Sequence, residues 1–279
     1  MAGKGTNSHR WTIKQKLVIM ISLTSILSLA ACGTLPNGRR WGQDATLFPG
    51  WPKVGRAALD AALSPATWGP AAGALVFQID DWDEKVSSWA SRRTPIFGSQ
   101  SNASTASDVL KHTSEAAYVI TLLATPSGDQ PGEWLYAKAK GALPGVAALG
   151  LVEGVTYGLQ QATHRKRPDG ESYESFPSTH ATTSAAANAL ASRNITYVSL
   201  PAEARFGCRM SFALLTAGTA WARVEAKKHF PSDVLAGIAL GNFIGAFMND
   251  AFLGIDPHTF QVALAPVRQG GYVSVHWAF

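Results

Sequence analysis

Cysteine is almost absent. Cys32 and Cys208 are the only two, and no C-x-x-C pair exists, which excludes a disulfide framework and a cysteine-built zinc site. Charge is scarce as well, at 15% of residues against 46% hydrophobic, with a mean hydropathy of +0.03. That balance is more apolar than most soluble proteins and far below a polytopic channel or transporter. Acidic side chains are missing from the first 31 positions, where Lys4, Arg10, Lys14 and Lys16 stand. Those four carry most of the net charge of +5, so the rest is close to neutral and nothing global favours nucleic acid as a partner. There is no repeat with a period of roughly 20–50 residues and no low-complexity tract. What is present is a chain of 279 residues, long enough to bury a substantial core in one or two domains.

Behind the basic leader, residues 17–31 (LVIMISLTSILSLAA) form an uncharged run. At 1.5 Å per helical residue it spans about 22 Å, short of the roughly 30 Å hydrocarbon core of a bilayer. It reads as the apolar region of a signal peptide, with a signal anchor as the alternative. The run ends in Leu29-Ala30-Ala31-Cys32-Gly33, which resembles the lipobox of bacterial lipoproteins. That resemblance implies cleavage before Cys32, lipidation of its thiol, and attachment to the bacterial cell envelope through an N-terminal lipid anchor. With glycine rather than an acid after the cysteine, it implies the outer membrane, facing the periplasm.

Residues 32–56 hold Gly33, Pro36, Gly38, Gly42, Pro49, Gly50 and Pro52, too many breakers for a useful helix, and predict a tether or irregular arm. From Ala57 on, alanine-rich apolar stretches recur between glycine and proline breaks: 57–63, about 70–90, 104–125, 133–163, 179–193, 206–227 and 232–253. In the third, Leu110, Thr113, Ala117, Ile120 and Ala124 follow helical spacing, with Ser104 or Ser107 as candidate cap. Segments 142–159 and 234–253 are rich in Gly, Ala and Leu, suited to close helix packing. Glu153, Asn242, Asn249 and Asp250 interrupt them and favour core helices over membrane spans. After Pro257 the period changes to alternation, in FQVALAPV and YVSVHWAF, the pattern of a hairpin. The expected architecture is all-α: a compact helical bundle over 57–255, with a signal peptide at 1–31, the arm at 32–56 and a short C-terminal β-hairpin within 256–279.

Three short segments carry chemistry. His164-Arg165-Lys166-Arg167-Pro168 closes one predicted helix, where positive charge also complements the dipole. Pro177-Ser178-Thr179-His180 opens another, where free N–H groups can receive an anion. Arg223-x5-His229-x3-Asp233 turns a corner at Pro231, placing Asp233 one turn on, within reach of the His229 ring. Taken singly each has an ordinary structural explanation: a solvated terminus, a cap, a self-satisfied buried pair. Taken in order, an accidental match of the eight positions is on the order of 1 in 10,000.

The ordered set resembles the type 2 phosphatidic acid phosphatase family, which shares its site with bacterial class A acid phosphatases and vanadium haloperoxidases. The family signature is written KxxxxxxRP, PSGH and SRxxxxxHxxxD. The match is tight over 160–233, and the acid-phosphatase-like, non-spanning branch fits the moderate hydropathy. Three positions depart from it: Gln160 stands for the lysine, Thr179 for the glycine and Ala222 for the serine. The resemblance implies His229 as nucleophile, His180 as general acid and Asp233 as the partner of the His229 ring. It also implies a phosphate cradle of Arg167, Arg223 and Ser178, the backbone at Thr179, and Gln160. Lys166 or Arg165 is a candidate to replace the missing lysine. No metal or cofactor is called for. The expected function is metal-independent hydrolysis of phosphomonoesters, on a phosphorylated lipid or a small molecule, through a phosphohistidine. The alternatives are a catalytically weak phosphate- or lipid-binding envelope lipoprotein, favoured by Gln160, and a vanadium-dependent haloperoxidase.

Overall fold

The run of small residues in Thr179–Asn194 determines how the bundle closes. In this computed structural model, which describes residues 32–255 in full and 260–267 and 270–277 by their backbone only, that helix is almost entirely buried. It packs against Pro231–Phe252 so closely that side chains are excluded. A Cβ on Gly241 would lie 2.1 Å from the carbonyl oxygen of Thr182, and one on Gly237 would lie 2.8 Å from the Thr182 hydroxyl. Residues 1–31, where a signal peptide and a lipobox-like end are expected, lie outside the described residues.

The helices in chain order are α1 (Trp51–Leu63), α2 (Pro65–Val76), α3 (Trp82–Arg93), α4 (Gln100–Ala124), α5 (Pro131–Thr163), α6 (Thr179–Asn194), α7 (Ala202–Glu225) and α8 (Pro231–Phe252), with a 3-10 turn at Ile195–Tyr197. Prolines open α1, α2, α5 and α8 at the position where a missing N–H costs nothing. The cap of α4 is Ser99, whose hydroxyl accepts from the Asn102 amide at 3.1 Å, rather than Ser104 or Ser107. The stretch expected at 70–90 is two helices, separated where Asp80 and Asp81 take positive φ. Strands β1 (Phe260–Val267) and β2 (Gly270–Trp277) pair antiparallel, Val262 opposite Val275.

Helices α4, α6 and α8 run one way and α5 and α7 the other. Asp108 meets His180 at one end of the bundle, Ser114 meets Ser184 and Asn188 below it, and Arg193 meets Asp250 at the far end. The arm is not a free tether. Trp41 is 1% exposed and sits in the main core with Tyr118, Leu122, Val152, Leu190, Phe212 and Ile244, and helix begins at Trp51, ahead of the expected 57. Burying an indole of this size offsets the absence of regular structure around it. At the same end Lys138 donates to the Leu122 carbonyl (2.6 Å) and the Thr125 hydroxyl (2.6 Å), and also to the Thr125 carbonyl. It thus caps α4 from α5, and its ammonium is pushed down to about 7 by burial. By length and composition α5 and α8 could each cross a membrane, with 28% and 56% of their most apolar windows buried inside the fold.

Candidate active site

The three segments of the sequence meet at the end of the bundle where α6 and α8 begin and α5 and α7 end. The N-terminus of α6 points its first N–H groups at this place, which favours an anion there, whereas the first amides of α8 are engaged, Ser232 by the Asp83 carboxylate and Asp233 and Val234 by the Phe230 carbonyl. Ser178 precedes α6, is fully buried, and its amide donates to the Asp233 carbonyl oxygen at 3.1 Å. Its hydroxyl has no partner in the fold, and neither does the Nε of buried Arg223. Buried donors of this kind are costly unless something accepts from them.

His229 lies in the corner between α7 and α8, its backbone folded back so that the amides of Lys228 and His229 both donate to the Arg223 carbonyl oxygen. The ring is buried, and Nδ1 is 2.7 Å from the carbonyl oxygen of Ser175. A carbonyl can only accept, so Nδ1 carries the proton and Nε2 presents its lone pair. Burial first, then the charges of Arg223 and Arg167, hold the His229 pKa well below its usual value. The imidazole is therefore neutral.

Asp233 does not hold that proton, contrary to expectation. Its nearest carboxylate oxygen is 4.0 Å from Nδ1, beyond a hydrogen bond. At the third position of α8 the carboxylate instead turns back to the Phe230 amide at 2.8 Å and accepts from the Ser175 hydroxyl at 2.6 Å. Capping the helix and fixing the 175 turn leave it no free geometry toward the ring. Burial pushes its carboxyl up to about 6 against the opposing pull of Arg165. Asp233 thus acts on His229 through Ser175, whose carbonyl it positions.

Arg165 is committed elsewhere too. It donates to Asp233 at 2.6 Å and to Asp83 of α3 at 2.8 Å, and stacks over the Phe230 ring. Lys166 lies over Tyr173. Neither takes up the lost lysine's role. Gln160 itself is buried, and its side-chain nitrogen donates to the Pro177 carbonyl (3.0 Å) and the Thr179 hydroxyl (3.1 Å). Both amide hydrogens are used, so Gln160 braces the 177–179 turn and offers nothing to a phosphate oxygen. The Thr179 hydroxyl accepts from Gln160 and keeps its own proton to donate, beside the backbone N–H of the same residue.

Arg223 is buried and, among the described residues, donates to the Ser107 hydroxyl alone, at 3.3 Å. Burial, then the charge of Arg167, pushes its guanidinium down to about 10. Arg167 makes a long contact to the Glu174 carboxylate at 3.9 Å. It rides on the turn closed by Gly170, which Lys228 ties down through Asp169 (2.9 Å) and Glu171 (2.6 Å). His180, one residue into α6, faces Asp108 of α4 with Nε2 2.7 Å from the carboxylate. Its pKa is lowered, first by burial and then by Arg223, with Asp108 pulling the other way. His180 also acts electrostatically on His229, so the two rings and two guanidiniums share one locus.

Sequence reasoning missed Asp108, Ser107, Ser175 and Asp83. Asp108 and Ser107 sit in α4 far from any motif and are visible only once the helices pack. Ser175 acts through a carbonyl, which leaves no trace in residue type. Among the described residues no group of three His, Cys, Asp or Glu side chains could hold a metal ion. Residues 143–253 match the model of the PAP2 superfamily. No curated protein and no solved structure matches the chain.

Proposed function

Because residues 143–253 form a PAP2 superfamily domain, within a superfamily that includes phosphatases and haloperoxidases, we propose that the protein hydrolyses phosphomonoesters without a metal. One observation carries this reading: the His229 ring has its proton locked on the Ser175 carbonyl, keeps an unshared pair on Nε2, and lies within the electrostatic field of Arg223 and Arg167. In the first step Nε2 attacks phosphorus while the ester oxygen leaves in line, giving a phosphohistidine and an alcohol. His180, with Nε2 engaged by Asp108, supplies the leaving oxygen's proton from Nδ1. In the second step the same nitrogen takes a proton from water, whose oxygen attacks phosphorus and returns Nε2 to His229. Arg167, Arg223, the Ser178 hydroxyl and the α6 amides stabilise the equatorial oxygens.

The lipobox-like segment before Cys32, which is exposed, supports attachment to the bacterial envelope through a lipid on that thiol; mass spectrometry of the amino terminus tests it. Substrates are soluble or lipid phosphomonoesters. Turnover is tested on the full chain by phosphate release from both classes, with the His229→Ala variant as control. Equal rates in the two proteins would remove the enzyme reading. A second reading, phosphate binding with little hydrolysis, is favoured by the double engagement of Gln160, because the cradle is short of one donor. Loss of a preorganised donor costs about 2.7–4 kcal/mol, or roughly 100- to 1,000-fold in rate. Vanadate binding without turnover would select it, and halide oxidation with vanadate would select a haloperoxidase.

A further inference from the structure

The catalytic mouth occupies one end of the bundle; the opposite end carries features the mechanism does not use. There the arm and the first turns of α5 and α7 expose large apolar side chains. Phe48 is 90% and Trp51 86% exposed, and Leu135, Tyr136, Phe206 and Met210 stand beside solvent in the same tier. On α4 the exposed chains below Glu115 are apolar, ending in Leu123, whereas above it Lys111 and His112 stand next to the exposed Val109. An exposed apolar surface of this extent marks a docking site rather than chance.

Two observations identify what docks. The first is where the chain enters. The amide of Gly33 donates to the Asp129 carboxylate at 2.8 Å, and the Gly128 amide donates to the Gly33 carbonyl. Residue 32 is thereby pinned two residues ahead of α5, with the apolar run 17–31 directly before it. The second is charge. Arg205 and Arg209, one turn apart on α7 beside Phe206 and Met210, reach among the described residues the Leu200 carbonyl (3.3 Å) and the Thr196 hydroxyl (3.0 Å) alone. Each keeps a buried, unpartnered Nε. Burial and the neighbouring charges of Arg205 and Arg193 lower the pKa of Arg209, a strain that an anionic group would relieve. Arg39 and Arg40 nearby are already paired with Asp44 and Glu133.

We propose that this end of the bundle seats on an anionic lipid bilayer, Phe48, Trp51, Leu135 and Phe206 entering the interface and Arg205 and Arg209 meeting lipid phosphates. Aromatic side chains beside cations suit that boundary, where apolar bodies are buried and polar tips stay wet. The consequence is orientation. From Phe206 to Arg223 along α7, and from Ala124 back to Ser107 along α4, the helical rise is about 26 Å. The mouth therefore stands clear of the leaflet the protein sits on and opens toward the aqueous phase, which points to water-borne phosphomonoesters. The seating goes beyond the catalytic reading and does not depend on it.

Site-directed spin labelling tests it on the full chain in phosphatidylethanolamine–phosphatidylglycerol vesicles, in a Cys32→Ser/Cys208→Ser background that leaves no other thiol to label. Labels replace Phe48, Leu135 and Phe206, and, as controls, His112, Leu151, Tyr157 and Leu75. The expected result is a several-fold higher ratio of oxygen to nickel-chelate collision at 48, 135 and 206 than at the four controls. That ratio should fall at 206 in the Arg205→Gln/Arg209→Gln variant. Aqueous values at 48, 135 and 206, with the chain still vesicle-bound, would mean that the amino terminus alone holds it and would overturn the proposal. So would lipid values at 151 and 157, the mark of a crossing α5, or at 75, the mark of a bundle lying on its side. Dipolar broadening at 48 or 206 that disappears on dilution with unlabelled protein would assign the surface to a second copy instead. None of these readings uses turnover, so an inactive protein leaves the test intact.

Discussion

Replacing Asp108 by asparagine separates proton delivery from every other part of the site. The His180 Nε2 to Asp108 distance is 2.7 Å, and when the ring is protonated this is a hydrogen bond between charges, which typically contributes about 1.5–3 kcal/mol. The Asp108 side chain is 56% exposed, and solvent screening reduces the contribution to roughly 1 kcal/mol. At 1.36 kcal/mol per unit, that is about 0.7 of a pH unit. Asp108 raises the His180 pKa, while burial and Arg223 lower it, so its removal moves the pKa further down. The general acid is then lost at lower pH. The alkaline limb of kcat/KM, measured with a soluble monoester, is expected to shift downward by about 0.7 unit and the rate on that limb to fall about five-fold. The acid-side rate should hold, because His229 stays neutral for independent reasons. An unmoved or upward-moving limb would refute the assignment of His180 as acid and Asp108 as its positioning residue.

The other predictions concern the supports. Arg165→Gln leaves the buried carboxylates of Asp83 and Asp233 without their cation and should cost roughly 3–5 kcal/mol in denaturant unfolding. Asp233 titrates near 6 even with Arg165 present and higher without it, so the loss should be largest at alkaline pH and shrink as acid neutralises the carboxyl. Gln160→Leu strips the Pro177 carbonyl of its donor, with an expected cost of about 1–3 kcal/mol and a lower kcat from a loosened 177–179 turn. Lys228→Ala frees the turn carrying Arg167 and should raise KM for the phosphoester; loss of the exposed Glu171 pair costs about 0–1 kcal/mol, and loss of the half-buried Asp169 pair lowers the unfolding midpoint further. Lys138→Met removes the cap on α4, far from the site, and should lower stability while leaving KM unchanged.

Much of the site was legible because its residue types are dictated by reaction chemistry. Anion recognition needs guanidinium forks, proton transfer needs imidazole, and a helix N-terminus needs a small polar residue before it. Arg167, Ser178, His180, Arg223 and His229 are found together for those reasons. The supports could not be read in the same way. Asp233 looked like the partner of His229 because it stands one turn on, yet the third position of a helix is also where a carboxylate caps its own amide, and that local competitor won. Gln160 looked like a weakened ligand, and only its two acceptors reveal a brace. The arm looked detachable because glycine and proline forbid regular structure there, while nothing in its spacing shows that Trp41 fills the core.

Period and breaker placement alone determined that the chain is a set of apolar helices with a terminal hairpin, because backbone hydrogen bonding and side-chain burial impose those periodicities locally. The order of the motifs alone picked out the residues proposed to react. Only packing decided that α4 brings Asp108 to His180, that Ser175 orients the His229 ring and that α3 reaches Asp233 through Arg165. Those contacts join residues 72, 54 and more than 60 positions apart. At such separations no local rule couples the partners, and the backbone approach that lets them meet depends on glycines and alanines whose role exists only between helices.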